Sequence, residues 1–573
     1  MKVDRDYLKM FEPKLVTAFR EGYGWGDLRA DIIAGLTVAI VALPLAMALA
    51  IASGTTPDKG ISTAIIAGFL ISALGGSRVQ IGGPTAAFIP VVFVVIERFG
   101  YGGLILCTLM AGLMLIAAGL LRLGTLMRYM PQPVITGFTA GIAVTIFSSQ
   151  VTDALGLRIP DLPGDFIGRW TAYAQHIATT QPVAVALTVL GLAVIIALRR
   201  WRPNWPAFLI ALLACTGVAL VFGLPAETIG TRFGALPNTL PDFSFPVIPF
   251  ERTFEMLPSA FTIAFLAGVE SLLSAVVADG MMGGRHRSNG ELVAQGVANV
   301  GSALFGGLPA TGAIARTATN IRAGARSPMA GILHAGFLLL FMLLLSPLMG
   351  YVPLAALSAV LLIVAWNMSE QENFRATMSA PVGDRVVLLL TFGLTVFFDL
   401  TVAIQAGIVV AALVFMYHMS ESVEVSSGIR TFDDDLYRDG APQLAEGEQR
   451  RLLPKGVEAY QITGPVFFGT TNRLDNLLDQ FFEPPKVFIV RMRLVPMIDA
   501  SGVHAIKALA ERCRRKGIVL VISGLQEQPR RILESMQLRE RAGELHFASD
   551  FHAALGIARS LQGEPQERTP AAQ

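Results

Sequence analysis

Apolar stretches of membrane length run through this chain from about residue 31 to residue 418, and two of them are broken in the same way. One reads VQIGGPTAAFIPVVFVV over residues 79–95, and the other LFGGLPATGAIARTATN over 304–320. In each, an apolar span gives way to Gly-Gly and a Pro, then restarts with Thr and small residues. A helix interrupted at membrane depth leaves backbone N–H groups without partners, which is tolerable only inside protein or along a cavity. The restart presents a positive dipole end and free amides, which suit an anion. Two restarts in corresponding positions of two halves are the sequence mark of a binding site in a membrane carrier.

The composition excludes a soluble protein. Of the 573 residues, 53% are hydrophobic and only 15% charged, and the mean hydropathy is +0.56. No basic-aromatic stripe marks a nucleic-acid binder. Cys107, Cys215 and Cys513 lie far apart and the seven histidines are scattered, so neither a disulfide framework nor a structural metal site is expected. No cofactor motif stands out. The charged first thirty residues lack the apolar core of a cleavable signal, so the first span is expected to direct insertion.

About fourteen apolar stretches follow one another, several short of the ~20 residues a crossing helix needs. They cover residues 31–53, 61–76, 85–96, 102–121, 133–150, 182–198, 204–222, 257–278, 291–305, 311–321, 328–348, 353–366, 384–398 and 401–418. With the N-terminus in the cytoplasm, basic clusters such as Arg199, Arg200 and Arg202, Arg285 and Arg287, and Arg322 and Arg326 fall in inner loops. That is the asymmetry the positive-inside rule demands. The broken segments are the third and tenth, which suggests a 7+7 inverted repeat. Expected divisions are a cytoplasmic segment 1–30, a transmembrane domain 31–420, a linker 421–455 with an acidic turn at 433–435, a soluble α/β domain 456–562 and a disordered tail 563–573. In the soluble part VEAYQIT, KVFIVRM and IVLVISG read as strands. LDNLLDQFF, SGVHAIKALAERCRRK, PRRILESMQL and SDFHAALGIARSL read as helices alternating with them.

ALPLAMALAIASG (42–54), GGSRVQIGGPTAAF (75–88), ESLLSAVVADGM (270–281) and GGLPATGAIARTATN (306–320) resemble the sulfate permease (SulP-type) anion transporters over nearly the whole chain. The tail resembles the STAS domain that ends such proteins. The resemblance implies fourteen spans in a core and a gate domain, and third and tenth helix ends that face one another around a midplane anion site. It also implies a homodimer in the cell inner (plasma) membrane, with both termini and the STAS domain cytoplasmic. Sulfate leads as the expected substrate, ahead of bicarbonate and C4-dicarboxylates; an uncoupled anion channel of the same architecture is a rival reading.

Thr85 with the amides of Ala86, Ala87 and Phe88 forms one candidate half-site, and Thr311, Gly312, Ala313, Ile314 and Ala315 the other. Thr85 has a second reading as a helix N-cap, Phe88 as a core aromatic, and the small residues as tight helix packing. Arg316 is expected to supply positive potential, or else to pair structurally, since an arginine at membrane depth is seldom idle. Glu270 with Ser274, four residues on and so on the same helix face, is expected to hold the coupling ion, H⁺ or Na⁺, or else to neutralise Arg316. Pro44 is expected to break the first span and, with Leu45 and Met47, to shape the cavity. Asp279 and GGRHR (283–287) are expected to anchor the inner face or form an anion vestibule, and Asp399 is read as an interfacial charge. Ser501 in IDASG sits where anti-sigma-factor antagonists carry a phosphorylatable serine; Asp499 or Ser501 otherwise caps the helix that follows.

Overall fold

A computed structural model describes residues 9–125, 130–160, 162–203, 205–235, 237–239, 243, 252–398, 400–421, 423–427, 453–470 and 484–562. Asp399, the acidic turn at 433–435, the expected helix over 474–482 and the tail 563–573 lie outside them. The chain divides into two compact units, Met1–Ala411 and Ala412–Gln573.

The first unit is helical. In chain order its elements are α1 (Lys14–Arg20), α2 (Trp25–Ala52), α3 (Pro57–Leu74), β1 (Gly82–Gly83), α4 (Ile89–Leu120), α5 (Gln132–Leu155), α6 (Phe166–His176), α7 (Pro182–Trp201), α8 (Ala207–Val221), α9 (Ile229–Phe233) and α10 (Thr253–Met282). Then come α11 (Ser288–Leu304), β2 (Thr311–Gly312), α12 (Ile314–Arg322), α13 (Met329–Met349), α14 (Leu354–Met368), α15 (Gln371–Met378), α16 (Val382–Phe397) and α17 (Leu400–Glu421), the last of which runs on into the second unit. Each apolar stretch named from the sequence overlaps one of these helices. Among the described residues nine helices are long and apolar enough to cross a membrane. The third and fourth stretches merge in α4, hinged at Gly100, whose φ of 71° only glycine adopts without strain.

The helices pack in two groups. α2, α3, α4, α10, α11, α12 and α13 form one, and α5, α7, α8, α14 and α16 the other; α2 touches the second group through α8 and α14. Small residues let helices cross closely. A Cβ on Gly112 of α4 would stand 2.7 Å from the carbonyl oxygen of Gly296 on α11, and one on Gly296 would stand 2.5 Å from that of Gly112. With no solvent-driven force between apolar helices in lipid, such close backbone contact is what holds a bundle together. α2 departs from expectation: it runs unbroken for 28 residues with Pro44 buried inside it. Neighbouring helices supply the packing that lets a membrane helix carry a proline.

The second unit is an α/β domain. Strands β3 (Glu424–Ser427), β4 (Val457–Thr463), β5 (Val487–Leu494), β6 (Val519–Ser523) and β7 (Leu545–Ala548) form a sheet in that order, β3 antiparallel and the rest parallel. Successive strand residues point to opposite faces. Phe488 and Val490 therefore pack with Val503, Ile506 and Leu509 of α18 (Ala500–Arg515) and Leu533 of α19 (Glu527–Ser535). Val487 and Ile489 pack on the other face with Phe551, Leu555 and Ala558 of α20 (Phe551–Leu561). Burial on both faces explains why these strands read as continuous apolar runs. Cys513 is fully buried, and that burial pushes its thiol up to about 12, so it is a core residue and not a nucleophile.

Candidate functional site

The two broken segments meet. β1 and β2 pair antiparallel, with Gly82 opposite Gly312 and Gly83 opposite Thr311, and the amide of Ala313 donates to the carbonyl of Ile81 at 2.8 Å. Chain segments more than two hundred residues apart thus satisfy each other's backbone where both helices are interrupted, as burial in lipid requires.

Just past this bridge both chains turn helical. On the first, Ala86–Phe88 form a single 3-10 turn that leads into α4. The Phe88 amide donates to the Thr85 carbonyl at 3.2 Å, so the amides of Ala86 and Ala87 are the ones left at the open end. On the second, α12 begins at Ile314. The Thr317 amide closes the first turn on the carbonyl of Ala313, which leaves the amides of Ile314, Ala315 and Arg316 at its tip.

Several expected residues thereby change role. Thr311 is fully buried and its hydroxyl donates to the carbonyl of Ala267 at 2.7 Å, while Gly312 and the Ala313 amide belong to the bridge. The bridge absorbs these three, and the helix end falls at Ile314. Thr85 does not cap its own turn; its hydroxyl donates across to Oε2 of Glu270 on α10 at 2.8 Å. Phe88 is 2% exposed and packs as a core aromatic. Of the residues expected to shape a cavity, Met47 is buried, and Leu45 packs toward the second group against Ile195, Ala207, Ala211 and Val360.

Arg316 stands in the first turn of α12 and reaches back to the other segment. Its Nη2 donates to the carbonyl of Pro84 at 2.9 Å. Gly83 makes room for it, since a Cβ there would come within 2.7 Å of Nη1. Arg316 is 3% exposed, its Nε and Nη1 have no hydrogen-bond partner, and among the described residues no carboxylate lies in ion-pair range. The reading in which Glu270 neutralises it is therefore not realised. An unpaired buried charge costs on the order of several kcal/mol, and the guanidinium keeps two donor nitrogens, Nε and Nη1, unspent.

α10 lines this junction with one polar face. Beyond Glu270, Ser274 donates to Oγ1 of Thr317 at 3.2 Å, and that same hydroxyl oxygen accepts from the Ile81 amide at 3.1 Å. Ser271 was not singled out from the sequence. It donates to Oε1 of Glu291 at 3.0 Å and its hydroxyl oxygen accepts from Gln80 at 3.0 Å. Glu291 also accepts from the amides of Gly76 and Ser77 and from Gln295. Asn299 fixes the approach to the second break, exchanging hydrogen bonds of 2.8 and 2.9 Å with the backbone of Ala310. Glu291, Gln295 and Asn299 recur every fourth residue along α11, a stripe legible in the sequence as one polar helix face. In the second unit Asp499 caps α18, accepting from the Gly502 amide at 2.7 Å, and Ser501 lies half-buried in the first turn behind it.

Buried, interrupted helices joined at their breaks within a bundle of apolar spans define a helical membrane transporter fold. The sequence matches the sulfate permease family over residues 28–391 and the STAS domain over 454–554, and the chain belongs to the sulfate permease family. That is a family of transporters, not of enzymes. The chain is 41% identical to a putative sulfate transporter, YvdB, of Bacillus subtilis over 92% of this chain and 97% of that one. It is 30% identical to the bicarbonate transporter BicA of Synechocystis over 92% and 94%. Among solved structures it resembles the murine Slc26a9 anion transporter, with a TM-score of 0.86 at 16% identity over 98% and 96% of the two chains. It also resembles the transmembrane domain of a cyanobacterial BicA, with a TM-score of 0.62 at 31% identity over 67% and 98%.

Proposed function

We propose that this protein is a secondary active transporter of a small oxyanion, with sulfate as the favoured substrate. The observation that carries the reading is Arg316, buried between the two helix ends with Nε and Nη1 unspent and, among the described residues, no carboxylate in ion-pair range. The tips at Ala86–Ala87 and Ile314–Arg316 add amides and positive dipole ends to the same junction. An oxyanion seated there neutralises the guanidinium and takes up the open donors. Bicarbonate is the second reading, supported by the 30% identity to BicA over nearly the whole chain.

Glu270 is the coupling group in this account. Its carboxylate holds Thr85, at the start of the first helix tip, through one hydrogen bond. Binding of H⁺ or Na⁺ at that carboxylate changes what Thr85 can offer the anion, and this links cation to substrate. The protein works as a homodimer in the inner membrane with its STAS domain in the cytoplasm as an assembly or regulatory module, where Ser501 is available for phosphoregulation. Uptake of radiolabelled sulfate into proteoliposomes, in competition with bicarbonate, succinate, fumarate and chloride and with imposed H⁺ or Na⁺ gradients, tests the reading. Accumulation against a sulfate gradient supports it. Flux that only dissipates gradients indicates a channel.

A further inference from the structure

The loop after α10, GGRHR, belongs to a site of its own. Lys14 of α1, Ser77 and Arg78 before β1, Asp279 and Arg285 around the α10–α11 turn, and Arg326 before α13 line one pocket of about 390 Å³. All lie within the first unit, and the bridge that joins the helix breaks contributes none of them.

The charges in this pocket are unequally matched. Asp279 is taken by His286, through the backbone amide at 2.8 Å and Nδ1 at 2.7 Å. Asp27, also in the lining, is held by Nη1 of Arg326 at 2.9 Å, and Arg78 pairs with Glu21 at 2.9 Å. Among the described residues Lys14 and Arg285 have no ion pair, and they sit on different walls, α1 and the α10–α11 turn. Burial, and next the Arg287 guanidinium, pull the Lys14 ammonium below its usual range. Ser77 is 5% exposed and its hydroxyl has no hydrogen-bond partner. A Cβ on Gly283 would meet nothing within 4 Å, so the turn leaves open space at this mouth. The α1 wall is fixed in place, since Arg287 donates to the Glu12 carbonyl at 2.7 Å and to Thr17 at 2.9 Å.

We propose that this pocket binds a phosphate monoester dianion between Lys14 and Arg285, with the Ser77 hydroxyl as a further donor. Two monocations without an ion pair among the described residues, on different walls of one pocket, call for negative charge on one compact group. A guanidinium fork, an ammonium and a hydroxyl together offer more donors than a single carboxylate can accept, and phosphate oxygens can take them. The group can come from a lipid headgroup or from a soluble phosphate.

The test uses the full-length protein in neutral detergent and calorimetric titration at pH 7.5, first with inorganic phosphate and then with dioctanoyl phosphatidic acid. One saturable site is expected with at least one probe. Its affinity should fall at least tenfold in the Lys14→Gln/Arg285→Gln variant and stay the same in Arg375→Gln, which removes a charge from α15, outside the pocket. Tighter binding of phosphatidic acid assigns the site to lipid, and equal or tighter binding of free phosphate assigns it to a soluble ligand. If the double variant aggregates, Arg285→Gln alone, at an exposed side chain, should still weaken binding at least threefold. Absence of saturable binding, or equal affinity in wild type and variants, overturns the proposal, as does sulfate competing as well as phosphate. Because the readout is binding, the outcome is separate from which anion is transported.

Discussion

The guanidinium of Arg316 donates to the carbonyl of Pro84 at 2.9 Å, so the cation in the first turn of one interrupted helix is anchored on the loop that opens the other. A shift of one segment relative to its partner would move the charge and the amide tips together. That coupling makes the junction a single unit, and it gives the consequences of substitution a definite direction.

Arg316→Gln removes the positive charge and should lower the initial rate of anion uptake by at least tenfold. Arg316→Lys restores a point charge without the fork and should recover only part of the rate. Proteoliposome uptake at equal protein content measures both, and wild-type rates in Arg316→Gln would count against the site.

Gly83→Ala tests the same junction from the other side. Gly83 has φ +149°, and an added Cβ would press on Nη1 of Arg316 at 2.7 Å. Backbone strain of about 1–3 kcal/mol combines with displacement of the guanidinium. The variant should express and insert, yet transport at a small fraction of the wild-type rate.

Glu270→Gln keeps a partner for Thr85 but removes the ionisable group. Uptake in this variant should no longer respond to an imposed H⁺ or Na⁺ gradient, while exchange of internal for external anion continues. Retained gradient dependence would place coupling elsewhere.

Glu291 is structural in this account. It accepts hydrogen bonds from Gly76 N, Ser77 N, Ser271 and Gln295, all in the protein interior. Truncation to Ala leaves these donors unsatisfied, at a cost of about 1–3 kcal/mol for each that finds no new partner. Thermal unfolding in detergent should show a large drop in Tm for Glu291→Ala and a smaller one for Glu291→Gln.

In the STAS domain, Asp550 caps α20 by accepting from the amide of Ala553, and this bond holds its carboxyl below the usual range. A carboxyl depressed on folding adds stability above its unfolded pKa and loses it as pH falls through the folded one. Protection from hydrogen exchange in the first turn of α20, taken relative to the intrinsic rate at each pH, should therefore fall on acidification below the ordinary carboxylate range. Asp550→Asn should flatten that dependence.

Much of the fold was legible because apolar runs announce spans, and Gly-Gly-Pro-Thr punctuation announced the breaks. Thr85, Glu270 and Arg316 were visible as polar groups at membrane depth, and the structure brings all three to one junction. The start of the second tip was misplaced from Thr311 to Ile314, because a two-residue bridge between distant segments leaves no local signal. Pro44 suggested a break that packing removes. Ser271, Gln80 and Glu291 were not singled out, because their meaning lies in their contacts with one another. The recurrence of Glu291, Gln295 and Asn299 on one helix face was the available signal.

The most direct test of the central claim is to locate the bound anion. Anomalous diffraction from crystals of the protein with selenate, a heavy analogue of sulfate, would mark the site by its selenium peak. The account predicts one peak between the Ala86–Ala87 amides and those of Ile314–Arg316, within hydrogen-bonding reach of the Arg316 guanidinium. A peak elsewhere in the bundle, or none at saturating selenate, would contradict it.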